Sequence, residues 1–213
     1  MTSTPIITQP NIGTALPISQ PSPITSAIPW QALSEFDHKQ IPAGWYEWLS
    51  DRGSLTARLV DASENTFSVE VLNQYELVPS ESEAAALDIT TSTPAIIREV
   101  ILWGKGKPWV FARSVLPLTT LTGRLAALRE LDSQPLGALL FSDPSMTRAP
   151  VEASYSSASA FVVPNTQCAG TAFLWGRRSI FYLDQKPLLV SEMFLPSFEP
   201  YTNMLSYTQD EQK

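Results

Sequence analysis

One cysteine, Cys168, and one histidine, His38, are all that 213 residues hold of the two side chains that most often bind zinc. An intrachain disulfide needs a second thiol and a Cys/His zinc site needs three or four ligands, so neither can be assembled. The lone thiol fits a reducing compartment. A catalytic triad would have to draw on His38. That residue stands in the polar run Ser34-Glu35-Phe36-Asp37-His38-Lys39-Gln40, which reads as a solvated linker or helix start rather than the wall of a pocket. Basic charge is scarce as well. Fourteen Lys and Arg against 21 Asp and Glu leave a formal charge of −7, with no basic run, which disfavours nucleic acid and anionic lipid as partners. An anionic ligand would have to be held by a few local arginines. No apolar stretch reaches the length of a membrane span, and the chain start lacks the basic and apolar regions of a secretory signal. The expectation is a soluble, cytoplasmic protein.

From Met1 to Ser34 there is no charged side chain, and Pro5, Pro10, Pro17, Pro21, Pro23 and Pro29 interrupt every possible helix. Residues 1–34 read as a Pro-rich, disordered tail, 35–200 as one domain, and 201–213 as a polar tail. Within the domain, Gly44 to Ser50 suggests a short amphipathic helix, and Ser54 a cap for a helical turn through Leu59. Phe67 to Leu77 alternates as a half-buried strand. Pro79 to Thr93 reads as a loop with one helical turn, and Leu121 to Leu131 as a helix. Pro135 is placed to open another helix, Leu136 to Phe141. A strand is expected around Thr147 to Tyr155, followed by a Ser/Ala-rich stretch. Two hairpins stand out: Ala95–Trp103 with Trp109–Leu116 across Gly104 to Pro108, and Phe173–Leu183 with Pro187–Leu195 across Asp184 to Lys186. Strands joined by short turns, with helices between hairpins, imply an antiparallel sheet in an α+β domain.

Ionisable residues on apolar strand faces mark the candidate chemistry. Arg98 shares its face with Ile96, Val100 and Leu102, and Glu192 shares its face with Leu188, Val190 and Phe194. Such charges are costly without partners, so the two either neutralise each other in a core or line a closed pocket for a polar ligand. Glu99 also has apolar same-face neighbours, and an Arg113–Glu99 cross-strand pair would be structural. Arg177 and Arg178 point to opposite faces, so at most one can serve a pocket on a given face.

Several collinear segments belong together: Ser54-Leu55-Thr56, Ile97 to Leu102, Lys107-Pro108-Trp109, Leu116-Pro117 to Leu121, Gln134-Pro135-Leu136-Gly137, Leu174 to Ser179, and Lys186-Pro187 through Glu192 to Pro196. In this order they resemble the chorismate pyruvate-lyase family. The resemblance implies an internal ligand cavity on one side of an antiparallel sheet, enclosed by helical flaps. It implies conversion of chorismate to 4-hydroxybenzoate and pyruvate, at the head of ubiquinone biosynthesis, by a monomer without metal or other cofactor. Carried over residue by residue, it assigns the product carboxylate to Arg98 and the backbone amides of Leu55 and Leu136, and the hydroxyl to Glu192. The family position at Leu55 is often Met. The uncharged amino-terminal tail and the Ser/Ala-rich segment before Phe173 depart from the family pattern and read as surface elaborations.

These assignments suit the chemistry. An arginine can hold a ring carboxylate by a planar, charge-assisted pair that lysine does not copy. Glu192 either acts as a base or only orients the ring while the hydrogen passes within the substrate. A small aromatic-acid sensor on the same scaffold is the alternative reading.

Overall fold

The computed structural model describes residues 28–37, 39, 41, 42 and 44–198, so His38 and the 201–213 segment lie outside the described residues. In chain order the elements are β1 (Gln31–Ala32), α1 (Trp45–Ser50), α2 (Leu55–Ala62), β2 (Ser68–Leu77), α3 (Glu81–Ala86), β3 (Ala95–Gly104) and β4 (Lys107–Pro117). They continue with α4 (Leu136–Ser142), β5 (Thr147–Arg148), β6 (Glu152–Ser157), β7 (Phe173–Leu183) and β8 (Lys186–Phe194). The strands form one sheet in the order β1-β6-β7-β8-β4-β3-β2, and β5 pairs with β7. Every pairing is antiparallel, which makes this the expected α+β domain. No helix among the described residues is long and apolar enough to cross a membrane.

Two tight turns set the sheet's register. Lys105 and Gly106 (φ 50° and 71°) join β3 to β4, and Asp184 and Gln185 (φ 49° and 64°) join β7 to β8. Paired positive φ values give the primed turn whose twist matches its strands. Beside the first turn, Gly104 serves a second purpose. A Cβ there would sit 2.2 Å from the ring of Trp109, which is fully buried. Gly104→Ala is therefore expected to lower stability by about 3 kcal/mol, and the melting temperature by roughly 6 to 12 °C. A change below 2 °C in a thermal melt would show that the ring moves aside freely.

The sheet's two faces are covered differently. On one, α1 and α2 bring Trp45, Trp48, Leu49, Leu55 and Leu59 onto Val100, Leu102 and Ala112. On the same face α4 and the turns before it bring Leu125, Leu128, Leu136 and Leu140 onto Leu116, Phe181 and Leu188. On the opposite face Leu87, just after α3, packs against Ile97, Val115 and Leu189. The 158–172 segment covers the rest of that face through Ala158, Phe161 and Val163, against Ile101, Phe111 and Met193. That Ser/Ala-rich stretch is thus core covering rather than surface elaboration.

Four further expectations are revised. Residues 31–34 lack charge, yet they are not tail: β1 pairs with β6, Leu33 is buried and its N–H donates to the Val151 carbonyl. Segment 79–93 contains α3, whose start is fixed by a capping box. Ser80 Oγ accepts from the Glu83 N–H, and the Glu83 carboxylate accepts from the Ser80 N–H. The leucines of 121–131 lie on 3-10 turns over Gly123–Glu130 instead of an α-helix. The strand foreseen over 147–155 is broken around Pro150 into β5 and β6, since proline cannot donate to a ladder.

Candidate active site

Sheet register determines which side chains can meet. Arg98 lies opposite Ser114 on β4, and Glu192 lies opposite Ala112 on β4 and Arg177 on β7. Arg98, Ser114, Glu192 and Arg177 therefore share the face beneath α1, α2 and α4. With β4 between them and a two-residue offset, the Arg98 and Glu192 Cα atoms stand about 12 Å apart by sheet spacing. The two charges do not pair. They line one cavity instead, with about 540 Å³ of atom-free space, part of it open to solvent. Its walls are apolar, from Val69, Val100, Leu102, Leu140, Phe141, Phe181 and Val190.

Arg98 is only 2 % exposed and has no carboxylate partner among the described residues. Its Nη2 donates to the carbonyls of Asp132 (2.7 Å) and Gln134 (3.2 Å), in the loop that leads into α4. Its Nε is buried with no partner among the described residues. Burial lowers its pKa, but a guanidinium starts so far above neutrality that it remains charged at neutral pH. A buried cation with an unspent donor leaves a hydrogen-bonding demand unmet by the side chains around it.

The helical flaps meet over the same end of the cavity. Leu55 and Leu136 are the first residues of α2 and α4, and neither N–H has a partner within its own helix. Ser54 caps α2 by accepting from the Ala57 N–H at 3.3 Å, and Pro135 precedes α4. Contact between the flaps is close: a Cβ on Gly137 would sit 2.9 Å from Thr56 Oγ1. The residues expected to donate backbone amides thus line the cavity with Arg98.

At the other end, Glu192 Oε2 accepts from Arg177 Nε at 2.6 Å. Arg177, 1 % exposed, also donates through Nη1 to the carbonyls of Trp48 (2.7 Å) and Asp51 (2.9 Å). It ties β7 to the end of α1, where a cation meets the negative end of the helix. Of the two adjacent arginines, Arg177 is the one on the cavity face. Arg178 is on the opposite face, with Nε on Glu152 (2.7 Å) and Nη1 on Ser82 (3.0 Å).

Glu99 has a structural environment. Arg113 Nη1 donates to it at 2.5 Å, and Asn73 Nδ2 at 2.9 Å. Arg113 Nε donates to Glu83 at 2.8 Å. This network lies on the face away from the cavity, which separates Glu99 from Arg98.

Two cavity residues escaped the sequence reading in whole or part. The Arg177–Glu192 contact was available in principle, because a two-residue turn at 184–185 puts 177 opposite 192. Arg148 carried no such signal. It lines the cavity because β5 pairs with β7, setting Arg148 opposite Phe181.

The family model described as "Chorismate lyase" matches residues 24–204. A "Probable chorismate pyruvate-lyase" from Aromatoleum aromaticum is 43 % identical over 166 residues, covering 74 % of this chain and 88 % of that one. One from Pseudomonas putida is 39 % identical over 181 residues, covering 84 % and 95 %. Among solved structures, PhnF from Mycobacterium smegmatis is similar with a TM-score of 0.50 at 16 % identity, covering 68 % of this chain and 65 % of that one, a likeness of fold. The family match spans the whole cavity-bearing domain and the relatives align over most of their own length, so this chain belongs to the chorismate lyase family of enzymes.

Proposed function

We propose that the protein converts chorismate to 4-hydroxybenzoate and pyruvate, the first committed step of ubiquinone biosynthesis. The observation that carries this reading is the cavity itself. A buried arginine with an unspent donor stands at one end, a glutamate at the other, and apolar walls lie between. A planar ring acid with a para hydroxyl has that polarity.

In this reading Arg98 and the amides of Leu55 and Leu136 bind the ring carboxylate, and Glu192 accepts a hydrogen bond from the ring hydroxyl. The reaction breaks the bond between the ring and the enolpyruvyl ether oxygen. The hydrogen on the neighbouring ring carbon passes as a proton to the enolpyruvyl methylene carbon, within the substrate or by way of Glu192, so that the ring becomes aromatic and the enolpyruvyl group departs as pyruvate. No electrons enter or leave the pair of products. The protein holds the reactive shape, excludes water and supplies fixed charge. Arg177 positions Glu192 through the 2.6 Å bond from its Nε to the carboxylate.

The test is to mix purified protein with chorismate alone and measure 4-hydroxybenzoate and pyruvate in equal amounts. Saturable binding of 4-hydroxybenzoate without turnover would replace the lyase by an aromatic-acid sensor. Glu192→Gln separates the two roles open to the glutamate. Orientation alone predicts a loss of turnover under about tenfold, equivalent to about 1.4 kcal/mol, whereas base catalysis predicts about 10²- to 10⁴-fold. The preference here is orientation, because among the described residues no second acid or base of comparable placement lines the cavity. A product so well matched to the cavity beneath the flaps also predicts inhibition by 4-hydroxybenzoate and release slower than chemistry. Linear progress curves unaffected by added product would count against that.

A further inference from the structure

Resting on the lyase reading, we infer that Arg148 is the receptor for the second carboxylate of the substrate, the one on the enolpyruvyl group, and stabilises that group as it leaves. Charge is the first argument. The charged residues lining the cavity are Arg98, Arg148, Arg177 and Glu192, three cations and one anion in a chain whose formal charge is −7. Glu192 offsets Arg177, which leaves one cation at each end. The pocket therefore suits a dianion, whereas 4-hydroxybenzoate brings one carboxylate.

Donor accounting is the second argument. Arg177 has Nε and Nη1 committed to Glu192, Trp48 and Asp51. Among the described residues, Arg148 has a buried Nε with no partner and one long bond, from Nη1 to the Asp51 carbonyl at 3.4 Å. Its guanidinium lies over the Phe181 ring, 4.9 Å from the centroid. That contact orients the guanidinium without using its in-plane donors.

Position is the third argument. Arg148 and Arg177 share the Asp51 carbonyl, so Arg148 stands at the Glu192 end. Chorismate carries its ether on the ring carbon next to the one bearing the hydroxyl, so a hydroxyl at Glu192 brings the enolpyruvyl carboxylate to that end. Burial and the neighbouring Arg177 charge lower the Arg148 pKa to about 10, as expected for a cation short of anionic partners. When the ether bond breaks, its electron pair passes to the enolpyruvyl oxygen. The leaving group then carries more negative charge than it did in the substrate, and a fixed cation beside it favours that state.

The experiment measures steady-state turnover of chorismate and equilibrium binding of 4-hydroxybenzoate for the wild type, Arg148→Gln and Arg148→Lys. The expected result for Arg148→Gln is a ten- to hundredfold fall in kcat/KM, with 4-hydroxybenzoate affinity within threefold of wild type. Arg148→Lys should recover part of the loss. A kcat/KM within threefold of wild type in Arg148→Gln would overturn the inference, and so would parallel losses of turnover and product affinity, which mark a structural role. Wild-type protein that binds 4-hydroxybenzoate but leaves chorismate intact would overturn the lyase reading and this inference together. Wild-type turnover with an indifferent Arg148→Gln would overturn the inference alone.

Discussion

Arg98→Met is expected to abolish most chorismate turnover while leaving the fold as stable as before. Two charge-assisted hydrogen bonds to a carboxylate, at about 1.5 to 3 kcal/mol each, correspond to roughly 10²- to 10⁴-fold in kcat/KM. The affinity for 4-hydroxybenzoate should fall with it, since substrate and product share the ring carboxylate. Stability has a different balance. Arg98 is buried without a carboxylate partner and satisfies only the carbonyls of Asp132 and Gln134. Replacing a desolvated, uncompensated cation by an apolar side chain of similar length removes a cost as well as two bonds, so the net change should stay within about 1 kcal/mol. That is roughly 2 to 4 °C in the melting temperature. Turnover and product affinity that both survive in Arg98→Met would refute the carboxylate assignment. A fall of more than 10 °C would make Arg98 a structural residue.

This separation of function from stability was only half legible in the sequence. Alternation placed Arg98 and Glu192 on apolar faces, but it applied equally to Glu99, which has Ile97, Ile101 and Trp103 beside it. What distinguishes the two is the layer on each face. Glu99 lies under the face where α3 brings Glu83 to Arg113, and Arg98 lies under the flaps, where only carbonyls meet it. Strand periodicity holds no information about which helix will cover which face. The choice between an internal Arg98–Glu192 pair and a pocket was likewise open, and the structure answers with the pocket: both residues line one cavity, Glu192 is held by Arg177, and Arg98 has no carboxylate partner among the described residues.

Turn chemistry was the most readable layer. The hairpin at 184–185 fixes the pairing of 177 with 192 by counting alone, whereas the capping box Ser80-x-x-Glu83, which marks the start of α3, was present in the sequence but went unread. The 3-10 turns over Gly123–Glu130 were masked by leucines at 121, 125 and 128, which satisfy helical spacing while packing as successive short turns. The covering role of 158–172 was hidden by composition. A Ser/Ala-rich stretch looks solvated until Phe161 and Val163 find the back of the sheet. Arg148 was the least accessible, since its place depends on a two-residue strand whose partner lies more than thirty positions away.

The second large effect concerns the other face. Arg113→Met should cost about 3 to 5 kcal/mol, the range for breaking a buried pair from one side, and lower the melting temperature by roughly 6 to 20 °C. Glu83 and Glu99 would be left buried with no cation in contact. The pH dependence should reverse in sign. In the wild type, burial alone would raise the Glu83 pKa, but the hydrogen bond and charge of Arg113, with the N–H and hydroxyl of Ser80, outweigh it and hold the carboxyl below its ordinary 4.5. A carboxyl depressed in the folded state contributes stability that is complete above 4.5 and is lost as pH falls through the folded value. Without Arg113 the main opposing influence is gone and burial prevails, so the carboxyl is raised. Acidification from pH 7 towards 5 should then stabilise the variant while leaving the wild type nearly unchanged. Melting curves across that range decide the matter, and parallel pH profiles for the two proteins would mean that the carboxylates reach solvent or another cation once Arg113 is removed. Because this network lies on the far side of the sheet from the cavity, kcat/KM measured well below the melting temperature should hold within threefold, the converse of the pattern expected for Arg98→Met.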